Sequence, residues 1–124
     1  EKGIVPMTVG QRGEQYAAEY LEQHGFRILD RNYHCRYGEI DLVAEDAAYL
    51  VFVEVKTRSG TRFGTPAQAV TAQKQRKLTI TAQRWLMTHE TRRQPRFDVI
   101  EVYVSRSAQL QRVVHIPNAF EAME

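Results

Sequence analysis

Asp41, Glu54 and Lys56 are the residues whose types and spacing could do chemistry. They lie in Gly38-Glu39-Ile40-Asp41-Leu42-Val43-Ala44 and Val51-Phe52-Val53-Glu54-Val55-Lys56-Thr57-Arg58. Both stretches read as β-strands, in which alternate side chains share a face. Glu39 and Asp41 then lie on one face and Ile40 and Leu42 on the other. Glu54 and Lys56 likewise oppose Val53 and Val55. A tight turn centred on Ala47–Ala48 sets Asp41 opposite Glu54 and Glu39 opposite Lys56, and a one-residue slip would separate them. Two neighbouring carboxylates repel unless one is protonated or a cation lies between them. Oxygen donors favour a hard ion such as Mg²⁺ or Mn²⁺, which can polarise a phosphoryl oxygen. A lysine two residues further on can orient a water or stabilise developing charge. A ladder of surface ion pairs, Glu39 with Lys56, would also account for the charges. It leaves unexplained the aliphatic opposite face and the basic segment that follows.

The elements that must position these groups follow from periodicity and punctuation. A first helix is expected over Val9–His24, stopped by Gly25. Glu14, Ala17, Ala18 and Leu21 form one stripe of it, so Glu14 occupies an apolar position and needs a partner. Strands are expected over Phe26–Tyr33, Glu39–Ala44 and Tyr49–Thr57, with Cys35, Arg36 and Tyr37 as a polar link. Thr65 and Pro66 look like an N-cap and first helical residue. They open a helix reaching about His89, with a break near Val70–Thr71 and an apolar stripe of Leu78, Ala82, Trp85 and Leu86. A turn at Gln94–Pro95 precedes strands Phe97–Val104 and Leu110–Ile116. Pro117 ends the last strand, and Asn118 caps a short final helix. The order helix-strand-strand-strand-helix-strand-strand implies an α/β (α+β) protein with a mixed sheet. The first three strands form an antiparallel meander, and the crossover helix makes the third and fourth parallel.

Composition narrows the classes. The 124 residues, 43% of them hydrophobic, suit one folded domain; residues 1–8 read as a flexible lead-in and 9–124 as the domain. No apolar run is long enough for a bilayer, and the start of the chain lacks the apolar core of a signal peptide. The single cysteine, Cys35, excludes an internal disulfide framework and fits a reducing, cytoplasmic setting. The net charge of +2 is unevenly spread: residues 55–97 hold ten Lys/Arg against one acid, Glu90. Such a basic middle third implies an anionic partner. His24, His34, His89 and His115 show no ligand spacing and read as surface or packing residues. Cys35 reads as a free thiol and Trp85 as core. Tyr33 and Tyr37 are open between stacking on nucleotides and packing.

At these residues the chain resembles known proteins. Asp41, twelve intervening residues, then Glu54-Val55-Lys56 looks like the D…ExK signature of the PD-(D/E)xK nuclease superfamily. Gly-Glu-Ile-Asp-Leu-Val-Ala and Phe-Val-Glu-Val-Lys-Thr-Arg are similar to the YraN family of endonuclease-like bacterial proteins. The likeness runs from about Gly10 to Phe120. It takes in Gly13-Glu14 with Ala17, Phe63-Gly64 with Pro66, Lys74 with Lys77-Leu78, and Arg96-Phe97-Asp98-Val99. The resemblance implies a restriction-endonuclease-like core and a Mg²⁺- or Mn²⁺-dependent DNA endonuclease acting on branched or processed DNA. In that role Asp41, Glu54 and Glu14 would be metal ligands and Lys56 the catalytic lysine. Glu14 would match the first-helix acid of Holliday-junction resolvases. Arg58, Arg62, Gln73, Lys77 and Arg84 are the expected DNA contacts. Related small nucleases act as dimers because a duplex has two strands. Ile40 stands where the wider superfamily has proline. The alternative is a catalytically silent DNA- or protein-binding module that keeps the nuclease fold.

Overall fold

The computed structural model describes residues 5–59 and 70–123. Helix α1 spans Val9–Gln23 and strands β1, β2 and β3 span Arg27–Cys35, Gly38–Glu45 and Tyr49–Ser59. Helix α2 spans Ala72–Met87, and strands β4 and β5 span Gln94–Val104 and Leu110–Phe120. The five strands form one mixed sheet in chain order. β1, β2 and β3 are an antiparallel meander, β3 and β4 run parallel, and β4 and β5 form a hairpin. This is the predicted topology, a mixed α/β architecture consistent with a restriction-endonuclease-like core. No described helix is long and apolar enough to cross a membrane.

The helices cover opposite faces of the sheet, as β3 shows. Val51 and Val53 pack with Ala17, Ala18 and Leu21 of α1, whereas Leu50 and Phe52 pack with Leu78, Ala82 and Trp85 of α2. Helix α1 opens on a reciprocal cap between Thr8 and Gln11, which satisfies two otherwise unpaired backbone donors. Gly13 brings α1 so close to β3 that a Cβ there would fall inside the Thr57 side chain. That contact outweighs the usual cost of glycine within a helix.

Three local expectations are corrected, and the break expected near Val70–Thr71 is where the described part of α2 opens. β1 runs on to Cys35, leaving only Arg36 and Tyr37 as the hairpin turn, since Cys35 still pairs with Gly38. The described helix α2 begins at Ala72 on the cap Thr71, whose hydroxyl accepts the Lys74 N–H at 3.2 Å. The predicted start at Thr65–Pro66 lies outside the described residues. Gln94 and Pro95 belong to β4, paired with Tyr49 and Leu50. No final helix follows Pro117 within the described residues. β5 is an edge strand, where proline is tolerated, and it continues to Phe120. Asn118 takes φ +50° and donates its N–H to the buried Asp98 carboxylate at 3.0 Å.

A fourth correction shapes the site. Ile40 and Leu42 do not share a face. Ile40 packs with Val43 and Phe52 beneath α2, while Leu42 and Ala44 pack beneath α1. The face switches where β2 parts from β3: their pairing ends at Leu42↔Val53, while β2 stays paired to β1 as far as Gly38. On β1, Arg31 and Tyr33 pair with Leu42 and Ile40, so Asn32 stands across from Asp41. Asn32 has φ +53°, a left-handed conformation that asparagine tolerates better than most residues. The two strands kink together there and break the simple alternation.

Candidate functional site

The parting of β2 from β3 leaves a gap between strands, and Asp41 spans it. Its Oδ2 accepts the Val55 N–H at 2.8 Å, standing in for a ladder bond that the divergence would leave unmade. The register Leu42↔Val53 is the one expected from the turn at Ala47–Ala48 and carries Asp41 toward Glu54. Glu54 is buried on the α2 side of β3. Its Oε2 lies 3.3 Å from Lys56 Nζ and 2.9 Å from Lys74 Nζ. Lys56 therefore pairs with Glu54, on its own strand.

Glu14 reaches the same gap from α1. Its half-buried carboxylate is hydrogen-bonded by the Asn32 side chain and by Asp41. Burial, then the charges of Glu39 and Glu54, move its pKa upward against those hydrogen bonds. Burial also pushes the Asp41 carboxyl up, to about 7, with the Glu54 charge next and Glu14 and Glu39 adding to it. The Val55 N–H opposes that rise. Lys74 is held above the ordinary lysine value, first by its hydrogen bond to Glu54. Elements from both faces of the sheet thus meet through one gap: an acid from α1, acids from β2 and β3, and lysines from β3 and α2.

The donor chemistry suits a hard divalent cation. The groups are all oxygen donors, and burial together with the neighbouring carboxylate charges pushes Asp41 up to about 7, a repulsion that a cation would relieve. Among the described residues, no three His, Cys, Asp or Glu side chains already surround a common point as metal ligands. Both lysines sit at Glu54 Oε2. Ligation through that oxygen would need it to be released from them.

The expected nucleic-acid contacts divide. Gln73, Lys77 and Arg84 are exposed on α2. Arg84 lies with its guanidinium 5.2 Å from the Tyr37 ring centre. Arg58 instead turns inward, with Nη2 3.3 Å from Oε2 of the fully buried Glu101, which also accepts the Tyr103 hydroxyl at 2.6 Å. Arg62 lies outside the described residues.

Sequence reasoning missed three contributors. Lys74 was legible as a basic residue and as part of the family likeness with Lys77-Leu78, but not as a partner of Glu54. Asn32 carried a signal, a turn-prone residue inside a strand. Glu101 carried another, a lone carboxylate in the apolar run Val99–Val104. Trp85 is core as expected, its Nε1 donating to Asp30 at 3.1 Å. His115 is a packing residue with a defined role, 2.7 Å from Asp98 Oδ2 through Nε2.

Comparison with known proteins identifies the family. The family described as "Uncharacterised protein family UPF0102" matches residues 13–102, which include Glu14, Asp41, Glu54, Lys56, Lys74 and Glu101. A UPF0102 protein of Symbiobacterium thermophilum is 52% identical over 115 residues, covering 92% of this chain and 97% of that protein. One from Caldanaerobacter subterraneus subsp. tengcongensis is 46% identical over 121 residues, covering 96% and 99%. One from Geobacter metallireducens is 47% identical over 115 residues, covering 92% and 93%. With the match spanning most of the chain and relatives covered almost end to end, this protein belongs to the UPF0102 family.

Proposed function

We propose that this protein is a divalent-metal-dependent nuclease that hydrolyses phosphodiester bonds in DNA. The observation that carries the reading is the meeting of Glu14, Asp41 and Glu54 in one gap of the sheet, with Lys56 against Glu54. Asp41 and Glu54 would hold the ion, Mg²⁺ or Mn²⁺, with Glu14 completing the oxygen set. The ion, when bound, supplies Lewis-acid polarisation of a phosphoryl oxygen.

The chain's own groups do the rest. Asp41, whose carboxyl is pushed up to about 7, would hold the ion as its carboxylate, the proton passing to solvent. Lys74, now against Glu54 Oε2, would leave that oxygen to the ion and turn its ammonium to a phosphate. The Lys56 ammonium orients the attacking water or stabilises charge on the phosphoryl oxygens. Lys77 and Arg84, exposed along α2, hold the backbone of the strand.

One observation favours the binding-module alternative: two ammonium groups already neutralise Glu54 without any ion. Melting curves with and without Mn²⁺, beside cleavage assays on branched, single-stranded and duplex DNA, separate the two. Mn²⁺ is expected to raise the melting temperature of the wild type, because it binds only the folded state. Asp41→Asn should lose that rise and at least about a hundredfold of cleavage, the scale of a lost catalytic group. Lys56→Ala should keep the Mn²⁺ response and lose cleavage. A wild-type protein whose melting ignores Mn²⁺ and Mg²⁺ with DNA present would overturn the nuclease reading in favour of the binding module.

A further inference from the structure

The β1–β2 hairpin tip and the far half of α2 form a second feature that the acidic gap does not use. Tyr37, at the tip, is 37% exposed. The guanidinium groups of Arg36 and Arg84 each lie 5.2 Å from its ring centre. Beside it is a shallow cavity of about 280 Å³ lined by Tyr33, Cys35, Arg36, Arg84, Met87 and Thr88. Met87 is 75% exposed, and no carboxylate lines the cavity. The tip is seated firmly on α2. A Cβ at Gly38 would stand 3.2 Å from Thr81 Oγ1 and 3.7 Å from Lys77 Cβ, and Cys35 Sγ lies 3.9 Å from Thr81 Oγ1.

This feature and the acidic gap are joined by two parallel tracks. Lys74, Lys77, Thr81 and Arg84 recur at helical spacing on one face of α2. Lys74 touches Glu54, and Arg84 touches Tyr37. Ten residues of helix separate them, about 15 Å. At the turn that opens β2, Tyr37 precedes Asp41 by four residues, about 13 Å of extended chain. The two distances agree because the strand and the helix run side by side from the ring to the acids. An anionic strand lying on this track meets cations along its length and an aromatic ring at its end.

We propose that Tyr37 is a stacking platform for an unpaired base of a nucleic-acid strand, with Arg36, Lys77 and Arg84 taking its flanking phosphates. The chemistry recognised is a nucleobase face plus backbone phosphate, so DNA and RNA strands both qualify, but a base locked inside a duplex does not. Stacking on tyrosine tolerates any base because every base has a π-face. The guanidinium groups suit both roles, being planar and permanently charged. The proposal rests on the nuclease reading only in naming which end of the track leads to the acids.

The test is binding without divalent ions, by fluorescence anisotropy in EDTA. The probes are a labelled single strand as DNA and as RNA, the blunt DNA duplex of the same sequence, and the DNA strand with its bases replaced by abasic residues. Tyr37→Ala should weaken the single strands about tenfold, within the range seen for base–aromatic contacts, and leave the blunt duplex within about twofold. Tyr37→Phe should bind as the wild type. The abasic strand should bind wild type and Tyr37→Ala alike, since it offers nothing to stack. An equal loss on duplex and single strand, or no loss on the single strand, would overturn the proposal. The abasic probe on wild-type protein tests it even where Tyr37→Ala folds poorly: unchanged affinity there is equally fatal. Cleavage enters none of these readouts, so failure of the nuclease reading and failure of this one are separate results.

Discussion

Two aspartates of one sheet, Asp98 fully buried and Asp41 half-buried, meet opposite fates. Asp98, on β4, is fully buried and fully answered. Arg96 donates Nε to its Oδ1 at 2.8 Å and Nη2 to its Oδ2 at 2.9 Å. His115 Nε2 and the Asn118 N–H complete the shell at 2.7 and 3.0 Å. Despite burial, the hydrogen bonds from His115, Arg96 and Asn118 hold its pKa below the ordinary value. Asp41 has one backbone N–H and three carboxylate neighbours, and burial followed by their charges pushes it up to about 7. The first aspartate staples β5 to β4, with His115 Nδ1 extending the contact to the Tyr20 hydroxyl of α1 at 3.2 Å. The second is left electrostatically unfinished. A charge that folding has satisfied is structural; one that folding has crowded with its own kind is waiting for something to bind.

The comparison breaks most visibly at Asp98. Asp98→Ala removes the shared acceptor and leaves Arg96 and His115 largely buried without it. The expected cost is about 3–5 kcal/mol, typical of stripping one partner from a buried charged pair. Urea titration at neutral pH reads it. Asp41→Asn in the same assay should be neutral or slightly stabilising, because it removes repulsion. Equal losses from the two variants would erase the distinction between staple and site.

That distinction was only half legible in the sequence. The spacing of Asp41, Glu54 and Lys56 and the turn at Ala47–Ala48 carried the register, because strand parity is a local rule. The crossover and hairpin pairings were legible for the same reason. Alternation failed at Ile40–Leu42, where Asn32 and Asp41 kink two strands at once; nothing in β2 alone announces that its neighbour adopts a left-handed residue. The final strand was cut short because proline and asparagine are usual stop signals. Only the tertiary acceptor Asp98, nineteen or more residues earlier in the chain, turns Pro117–Asn118 into edge-strand geometry. The inward contact of Arg58 was illegible for the same reason, since its partner Glu101 comes from β4.

The second difference lies in the sign of the pH dependence. Asp41 moves from 3.8 to about 7 on folding, and Glu14 moves the same way. Between those values the folded chain binds more protons than the unfolded one, so stability falls as pH rises from about 4 to 7. Asp98 moves down. Its contribution is in place above pH 3.8 and is lost as pH falls through its folded value. Melting in EDTA at pH 4.5 and 7.5 should show the wild type less stable at the higher pH through the Asp41 contribution. Asp41→Asn should flatten that fall, leaving the smaller part owed to Glu14. A fall of unchanged size in Asp41→Asn would place the excess proton elsewhere.

The smallest expected effect concerns what occupies the unfinished site meanwhile. Lys74 lies 2.9 Å from Glu54, but its side chain is 45% exposed, so the pair contributes at most about 1 kcal/mol in water and salt. Lys74→Ala should therefore lower apo stability only slightly. It also removes a cation that competes with a metal for Glu54 Oε2, so the Mn²⁺-induced rise in melting temperature should grow. Asp98 predicts the contrary for its own cations: Arg96→Ala should cost stability with or without Mn²⁺ and leave the metal response unchanged. Melting both variants across a Mn²⁺ titration decides whether Lys74 is a placeholder or a fixture. A Mn²⁺ response that shrinks in Lys74→Ala would make the lysine part of the scaffold that aims Glu54. The acidic gap would then be nearer to the Asp98 staple than its crowded charges suggest.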